Sequence, residues 1–314
     1  MHTKNTKTFV ILGPTSSGKT SLSVELCWKF NGEIISADSR QVYKYMDIGT
    51  GKISVNTGHE VKRLEDHWKL NCVKVWGYDL IEPGNYFSAY DFAGYGLGKI
   101  REIERAEKTT FIAGGTGFYI DALTGNAQIK ASKPDFELRK MLENLTLEEL
   151  QKKLTSLNLG TYKKLDHKNP MRLIRAIEKE LTENTTTTPL PSFDNKKFVY
   201  IGLTAERSYL YNKADLWLES VWMNGLIGEV QKLIEIGYEH TPQLRGLVYK
   251  TVLAFIKGEL SETEAIQRTK YDLHSYIRRQ QTWFKKMSGI AWFDIAEKTF
   301  SQNVFNHVES YLRR

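Results

Sequence analysis

Apolar and polar positions along the chain predict an α/β core. Short apolar runs are typical of buried strands, and stretches with apolar residues three and four positions apart separate them as helices. The predicted strands are 8–12, 33–37, 73–81, 109–113, 197–203 and 291–295. Such alternation is typical of a parallel sheet with helices on its faces. Residues 54–71 are polar and charged, and we predict a loop and a helix there.

One part of the chain departs from this alternation. Between 133 and 183 the pattern is helical throughout, and Asn169 followed by Pro170 marks a helix start. A threonine- and proline-rich loop at 185–191 follows. We therefore predict a core interrupted by an all-helical insertion. The core would be residues 1–128 and 196–314, and the insertion residues 129–195.

The first strand runs into GPTSSGKT, which fits the phosphate-loop pattern G-x-x-x-x-G-K-[ST] at each fixed position. Backbone N–H groups of such a loop, and of the helix that follows, form a site favourable for anions. Lys19 adds a positive charge, and the Thr20 hydroxyl can ligate Mg²⁺. The predicted diphosphate or polyphosphate site is Gly13, Pro14, Thr15, Ser16, Ser17, Gly18, Lys19 and Thr20.

Two further strand ends hold candidate site residues. Asp38 follows the second strand, and a carboxylate there faces the crevice where open α/β sheets bind ligands. Alternatively, Asp38 caps a following helix. The run from Gly114 to Gly117 follows the fourth strand and allows close approach of the backbone to a ligand, or forms only a tight turn.

Composition changes this picture little. The 314 residues are 41% hydrophobic, enough for a core, and the net charge of +7 permits a polyanionic partner. Cys27 and Cys72 form no zinc or disulfide framework, which fits a reducing cytoplasm. Neither a signal peptide nor an apolar run that could span a membrane is recognised.

The helix predicted at 268–286 mixes basic and aromatic side chains. Such a mixture suits a nucleic-acid backbone with stacked bases. It also fits a core aromatic stripe with a solvated basic face. The residues alone leave both interpretations open.

Several motifs occur in one order: GPTSSGKT, EIISADSRQVY, MDIGTGK, IAGGTGFYIDAL, NPMRLIRAIE and RRQQTWFKK. Together they resemble the tRNA dimethylallyltransferases, also called tRNA isopentenyltransferases, from Val10 to about Asp294. The resemblance implies a P-loop NTPase-like parallel sheet flanked by helices, with an all-helical insertion that contacts tRNA. It implies transfer of a dimethylallyl group from its diphosphate to the N6 amine of the adenosine 3′ of the anticodon, with release of diphosphate.

The resemblance also implies partners and residue roles. It implies Mg²⁺ as cofactor, with Thr20 as ligand, and dimethylallyl diphosphate and the tRNA anticodon stem-loop as partners. We expect a cytoplasmic monomer. Asp38 matches the general base, Thr20 and Thr116 complete the catalytic group, and Lys213 joins the diphosphate site where the family has an arginine. At the position of a second arginine of the family, this chain has Trp217. The matched tRNA contacts are Asp38, Ser39, Arg40, Gln41, Thr116, Arg139, Met171, Arg172, Leu173, Ile174, Arg175, Arg245, Tyr249 and Lys250.

Other functions explain fewer features. A small-molecule kinase would account for the phosphate loop and Asp38, but not for the insertion or the basic aromatic helix. An NTPase regulator would need a further acid-bearing strand, and an enzyme that prenylates free adenine nucleotides would not need the inserted helices. Arg172 and Arg175 share one helix face, and if that face is solvated their removal should leave the melting temperature nearly unchanged.

Overall fold

The structure is a computed structural model that describes residues 7–53, 60–127, 129, 134–182, 190 and 195–313. The chain divides into two compact units, one formed by Met1–Gln128 with Pro191–Arg314 and the other by Ile129–Leu190. The loop predicted at 185–191 lies, except for Leu190, outside the described residues.

The larger unit is built on one sheet. Its strands are β1 (Thr8–Leu12), β2 (Gly32–Ser36), β3 (Val61–Arg63), β4 (Trp68–Leu70), β5 (Val73–Trp76), β6 (Thr109–Gly114), β7 (Phe198–Thr204) and β8 (Ile290–Asp294). They lie in the order β3-β4-β5-β2-β6-β1-β7-β8. β1 is buried along its whole length and pairs in parallel with β6 and β7, as expected of a strand covered on both faces. The predicted α/β fold is confirmed.

Helices fill the connections. They are α1 (Lys19–Phe30), α2 (Ala89–Arg105), α3 (Gly117–Thr124), α4 (Phe136–Glu143), α5 (Leu147–Leu157), α6 (Leu159–Lys164), α7 (Pro170–Leu181), α8 (Arg207–Val221), α9 (Ile227–Glu235), α10 (Leu247–Ile256), α11 (Glu262–Phe284) and α12 (Phe300–Leu312). Within the described ranges, none is both long and apolar enough to cross a bilayer.

The edge formed by β3 and β4 corrects one prediction. We expected a loop and a helix at 54–71, but β3, β4 and β5 form antiparallel pairs there, and 54–59 lie outside the described residues. Trp68 and Leu70 are buried, and Lys69 between them points away from the core. Strands of three residues are too short for hydrophobic periodicity to reveal.

The smaller unit consists of helices α4 to α7 and has a core of its own. Leu150 and Leu154 of α5 pack with Leu173 and Ile177 of α7, and all four side chains are buried. The predicted start of α7 is confirmed, because the Asn169 side chain accepts a hydrogen bond from the backbone N–H of Arg172. The predicted all-helical character of this segment follows from its 3.6-residue periodicity.

Candidate functional site

A cleft of about 200 Å³ opens at the carboxyl ends of β1, β2 and β6. Parallel strands bring their carboxyl ends to one edge of the sheet, so the loops that follow them meet there. The predicted site residues that line the cleft are Thr15, Ser16, Gly18, Lys19, Thr20, Asp38, Arg40 and Gln41. Gly114, from the second glycine-rich turn, lines it as well.

The phosphate loop depends on glycine where α1 begins. Gly18 has a φ of 82°, a left-handed conformation that side chains rarely adopt, and it turns the chain into the helix. Lys19 follows at the first helical position and donates to the carbonyl of Pro14 at 2.6 Å. The lysine cation therefore lies over its own loop, where the helix dipole also favours an anion.

Burial changes the protonation of Lys19. It lowers the pKa of this ammonium group from 10.5 to about 8, while the nearby negative charge of Asp38 raises the pKa and partly offsets the effect. A lysine with a pKa near 8 is still mainly charged at neutral pH. It can therefore bind a diphosphate as a cation.

Asp38 is the second residue after the end of β2, and the structure decides between its two interpretations. The residues that follow it form turns and no helix, so the prediction of a helix cap is wrong. The carboxylate Oδ1 accepts the backbone N–H of Arg40 at 2.9 Å, which fixes the side chain at the cleft. Burial raises the pKa of this carboxyl group, and its hydrogen bond from Arg40 and the charge of Lys19 lower it in part.

The glycine-rich turn after β6 presents Thr116 to the Asp38 loop. The Thr116 hydroxyl accepts the backbone N–H of Ser39 at 3.0 Å and donates to the Ser39 hydroxyl at 3.3 Å. The backbone N–H of Thr116 in turn donates to the carbonyl of Ala37 at 3.2 Å. Thr116 thus holds the backbone on both sides of Asp38.

Gln280 of α11, a residue without a predicted role, joins the phosphate loop to this turn. Its Oε1 accepts the backbone N–H of Thr15 at 2.8 Å, and its Nε2 donates to the carbonyl of Gly115 at 2.9 Å. The side chain is 5% exposed and lines the cleft. A glutamine on the buried stripe of a helix was the available signal, because a buried amide needs partners.

Arg40 and Gln41 are engaged within the protein. The Arg40 guanidinium donates to the carbonyl of Gln243 at 3.0 Å and packs so closely on Gly246 that a Cβ there would lie 2.0 Å from Nη2. Gln41 is buried, accepts from the Ser36 hydroxyl and donates to the carbonyl of Thr50. Both side chains therefore shape the cleft wall, and their contact with tRNA stays a prediction.

Lys213 does not line the cleft. Its side chain is exposed, and Nζ lies 5.6 Å from the ring centroid of Tyr209. Trp217, one turn further along α8, lines the cleft instead. The substitution of the family's second arginine therefore places an indole at the site, and the diphosphate role of Lys213 stays a prediction.

The segment from Arg245 to Lys250 contains both exposed and buried residues. Arg245 and Lys250 are exposed, but Tyr249 is 2% exposed, and its hydroxyl donates to Glu229 at 2.8 Å. The other contacts of this carboxylate are the backbone N–H groups of Asp47, Ile48 and Gly49. Tyr249 is thus a buried support for the 47–49 loop, and its assignment as a tRNA-contacting side chain is corrected.

Within the smaller unit, Arg139 and Arg175 both bind Glu178. This glutamate side chain is fully buried, and Arg139 holds it through Nε at 3.1 Å and Nη2 at 2.9 Å. Arg175 pairs with the same carboxylate. Burial alone would raise the pKa of Glu178, but the two arginines and the backbone N–H of Asp135 outweigh it, so its pKa is lowered.

The other residues predicted on α7 divide by helix face. Met171 and Arg172 are exposed, and Arg172 lies 3.7 Å from Asp166. Leu173 and Ile174 are core side chains, 0% and 3% exposed. Their assignment as tRNA-contacting side chains is therefore corrected, because a helix that packs on a core must bury one face.

The cleft offers a place for Mg²⁺, although the described residues contain no cluster of acidic, histidine or cysteine side chains that could hold a metal alone. Thr20 and Asp38 both line it. Mg²⁺ commonly takes one or two protein oxygens and completes its shell with phosphate oxygens and water. The donor set therefore fits Mg²⁺ bound together with a diphosphate.

Known proteins resemble the chain over most of its length. The IPP transferase family profile matches residues 41–287, and the isopentenyl transferase profile matches residues 6–68. A tRNA dimethylallyltransferase of Acetivibrio thermocellus is 36% identical over 314 residues, covering 96% of each chain. The crystal structure of the full-length tRNA isopentenylpyrophosphate transferase from Bacillus halodurans has 30% identity and a TM-score of 0.69, covering 98% of this chain and 97% of its own. The corresponding enzyme of Staphylococcus epidermidis has 31% identity and a TM-score of 0.66, with coverage of 98% and 99%.

Proposed function

The chain belongs to the IPP transferase family of tRNA-modifying prenyltransferases, and we propose that it transfers a dimethylallyl group from dimethylallyl diphosphate to the N6 amine of the adenosine 3′ of the anticodon. The predicted family is confirmed. The observation that carries the proposal is the presence of Asp38 and Lys19 in the wall of one cleft. A base and an anion site side by side are what this transfer requires.

The reaction forms a C–N bond and breaks a C–O bond. The lone pair of an adenine amine is delocalised into the ring, so the amine is a weak nucleophile. Asp38 accepts the amine proton as the C–N bond forms, and its raised pKa makes it a stronger base than an ordinary aspartate. The diphosphate departs with the electron pair of the C–O bond, and Lys19 with the loop N–H groups stabilises the added charge.

The remaining cleft wall fits the prenyl chain. Trp217, Leu247, Val248 and Leu273 line the cleft and offer apolar surface to a five-carbon group. The target base has to leave the anticodon-loop stack to enter, which costs a few kcal/mol. The Mg²⁺ that we propose at Thr20 would neutralise charge on the diphosphate.

Direct detection of the product tests the function. The protein is incubated with dimethylallyl diphosphate, Mg²⁺ and unmodified bulk tRNA, and nucleosides are analysed by mass spectrometry. We expect N6-dimethylallyladenosine. Its absence from every tRNA, with the donor intact at the end of the incubation, would overturn the proposal.

The pKa of Lys19 predicts how donor binding depends on pH. The ammonium group is protonated below about pH 8 and neutral above it, so affinity for dimethylallyl diphosphate should fall as pH rises through this value. Calorimetry in two buffers of different ionisation enthalpy at pH 8 should show proton uptake on binding. In Lys19→Ala this uptake should disappear; uptake of the same size in that variant would assign it to another group.

Replacing Arg172 and Arg175 by alanine, one at a time, should distinguish a surface residue from a structural one. Arg175→Ala leaves buried Glu178 with one arginine fewer and should lower stability by about 1–3 kcal/mol. Exposed Arg172→Ala should change it by less than about 0.5 kcal/mol, but should flatten the plot of log tRNA affinity against log salt by about one unit. Thermal unfolding and salt titrations measure both. Equal melting temperatures for the two variants would contradict a structural role for Arg175.

A further inference from the structure

The MDIGTGK segment, residues 46–52, forms one wall of the catalytic cleft, which Gly49, Thr50 and Gly51 line. Glu229 of α9 binds the backbone of this 46–52 wall and does not itself line the cleft. We propose that Glu229 is a positioning residue for prenyl transfer, acting on the general base Asp38 through the 46–52 wall. The inference rests on the proposed function, because it takes Asp38 to be the base of that reaction.

Glu229 binds the 46–52 wall with both oxygens of its carboxylate. Oε2 accepts the backbone N–H groups of Asp47 and Ile48, each at 2.7 Å. Oε1 accepts the backbone N–H of Gly49 at 3.0 Å and the hydroxyl of Tyr249 at 2.8 Å. A carboxylate has about four lone-pair sites, so these four donors use its whole accepting capacity. One side chain therefore sets the path of the backbone from 47 to 49.

Tyr249 supports the same stretch by close packing. A Cβ at Gly49 would lie 2.7 Å from Cζ of Tyr249 and 2.8 Å from its hydroxyl oxygen, so only glycine allows this approach. The tyrosine is 2% exposed, and the dense packing around a buried ring leaves it little room to move away. The backbone at Gly49 is thus enclosed between a buried ring and the cleft.

A buried lysine fixes the far end of the 46–52 wall. The Lys52 ammonium donates to the carbonyl of Tyr43 at 2.6 Å and to the Asp47 carboxylate at 2.9 Å, and it also pairs with Asp79. The Lys52 side chain is 0% exposed, and separating a buried cation from its partners is costly. Asp47 is therefore held twice, by its carboxylate at Lys52 and by its backbone N–H at Glu229.

Gln41 joins the 46–52 wall to the Asp38 turn. Its Nε2 group donates to the carbonyl of Thr50 at 3.0 Å, and its backbone N–H donates to the carbonyl of Asp38 at 3.2 Å. Thr116 holds the turn through the backbone N–H of Ser39. A continuous series of contacts therefore runs from the α9 carboxylate to the general base. A shift of the wall moves that base relative to the substrate amine, and a misplacement of about 1 Å can cost about 100-fold in rate.

Glu229→Gln tests the proposal, because an amide keeps the size of the side chain but has only one accepting oxygen. With donor and tRNA both saturating, we expect single-turnover prenyl transfer to slow by about 10- to 100-fold. Affinity for dimethylallyl diphosphate, measured by calorimetry, should stay within a few-fold of the parent. The reason is that Glu229 contacts the 46–52 wall and Tyr249, whereas the donor binds at the phosphate loop.

A double-mutant cycle shows whether Glu229 acts through the base. Glu229→Gln should slow Asp38→Asn much less than it slows the parent, because the base that it positions is already lost. Equal slowing in both backgrounds would overturn the proposal. Tyr249→Phe removes one of the four donors and keeps the three N–H bonds, so it tests the same contacts with a smaller perturbation. Its rate should fall by about 2- to 10-fold, and an unchanged rate would contradict the proposal.

Glu33→Gln is the matched control for stability. Glu33 is also a buried carboxylate, accepts Nε1–H of Trp76 at 2.7 Å and pairs with Lys108 at 2.7 Å. It lies near the start of β2, at the opposite end of the strand from Asp38, and does not line the cleft. Glu33→Gln should lower the melting temperature and leave the rate of transfer unchanged at temperatures well below unfolding.

Equal rate losses in Glu33→Gln and Glu229→Gln would show a general effect of destabilisation and overturn the role of Glu229. The parent protein separates this failure from that of the proposed function. If the parent forms no prenylated tRNA, the proposed function is wrong. If the parent forms it and the losses from Glu229→Gln and Asp38→Asn are additive, only the positioning role is wrong.

Discussion

Replacing Asp38 with asparagine should lower kcat for prenyl transfer by about 10²- to 10⁴-fold, the usual loss when a general base is removed. Asparagine keeps the shape of the side chain and can still accept the N–H of Arg40, but it cannot take a proton from the amine. Affinity for tRNA should stay within a few-fold of the parent. Single-turnover prenyl transfer with saturating tRNA measures the chemical step, and filter binding measures tRNA affinity.

Asp66→Asn is the matched control, because it removes an exposed carboxylate whose partner is His67 and which does not line the cleft. Its rate should equal that of the parent. If Asp38→Asn retains a rate within a few-fold of the parent, Asp38 is not the base. In the parent, the rate should rise with pH through an apparent pKa above the ordinary aspartate value of 3.8, because burial raises it.

Lys19→Ala should lower kcat/KM for dimethylallyl diphosphate by about 10²- to 10³-fold, as loss of one donor to a developing anion does. The lysine is the cation of the phosphate loop and lies at the first turn of α1, so its loss removes charge where the leaving group departs. Affinity for tRNA should change little. Calorimetry with the donor and with tRNA separates the two effects.

Lys29, in the last turn of α1, provides the control for charge. It is exposed, packs on Phe305 and lies about 15 Å along the helix from Lys19, at about 1.5 Å per residue. Lys29→Ala should bind dimethylallyl diphosphate like the parent. Equal loss of donor and tRNA affinity in Lys19→Ala would contradict a diphosphate site.

Much of the site could be predicted because it depends on strand ends. A buried strand followed by GPTSSGKT identifies a phosphate loop locally, and parallel topology then brings Asp38 to the same edge. The start of α7 was predictable because Asn169 caps it and Pro170 follows. These features need no knowledge of distant contacts.

The remaining features depend on which face of a helix is buried. Leu173 and Tyr249 lie in motifs matched to tRNA contacts, yet both side chains point inward. Motif matching names positions and gives no direction for side chains, whereas packing decides the direction. Arg175 was predicted to share a tRNA-contacting face with Arg172, because nothing local in the sequence shows that Glu178 is buried and pairs with it.

The two hydrogen bonds of Gln280 restrict how the enzyme could be redesigned for other prenyl donors. One side chain supplies an acceptor to Thr15 and a donor to Gly115, so no smaller or charged residue can replace both bonds. Glutamate would lose the donor, and asparagine is shorter by one methylene. A wider donor pocket is therefore better sought at Trp217, which lines the cleft from α8 and is not among the side chains that hold the phosphate loop.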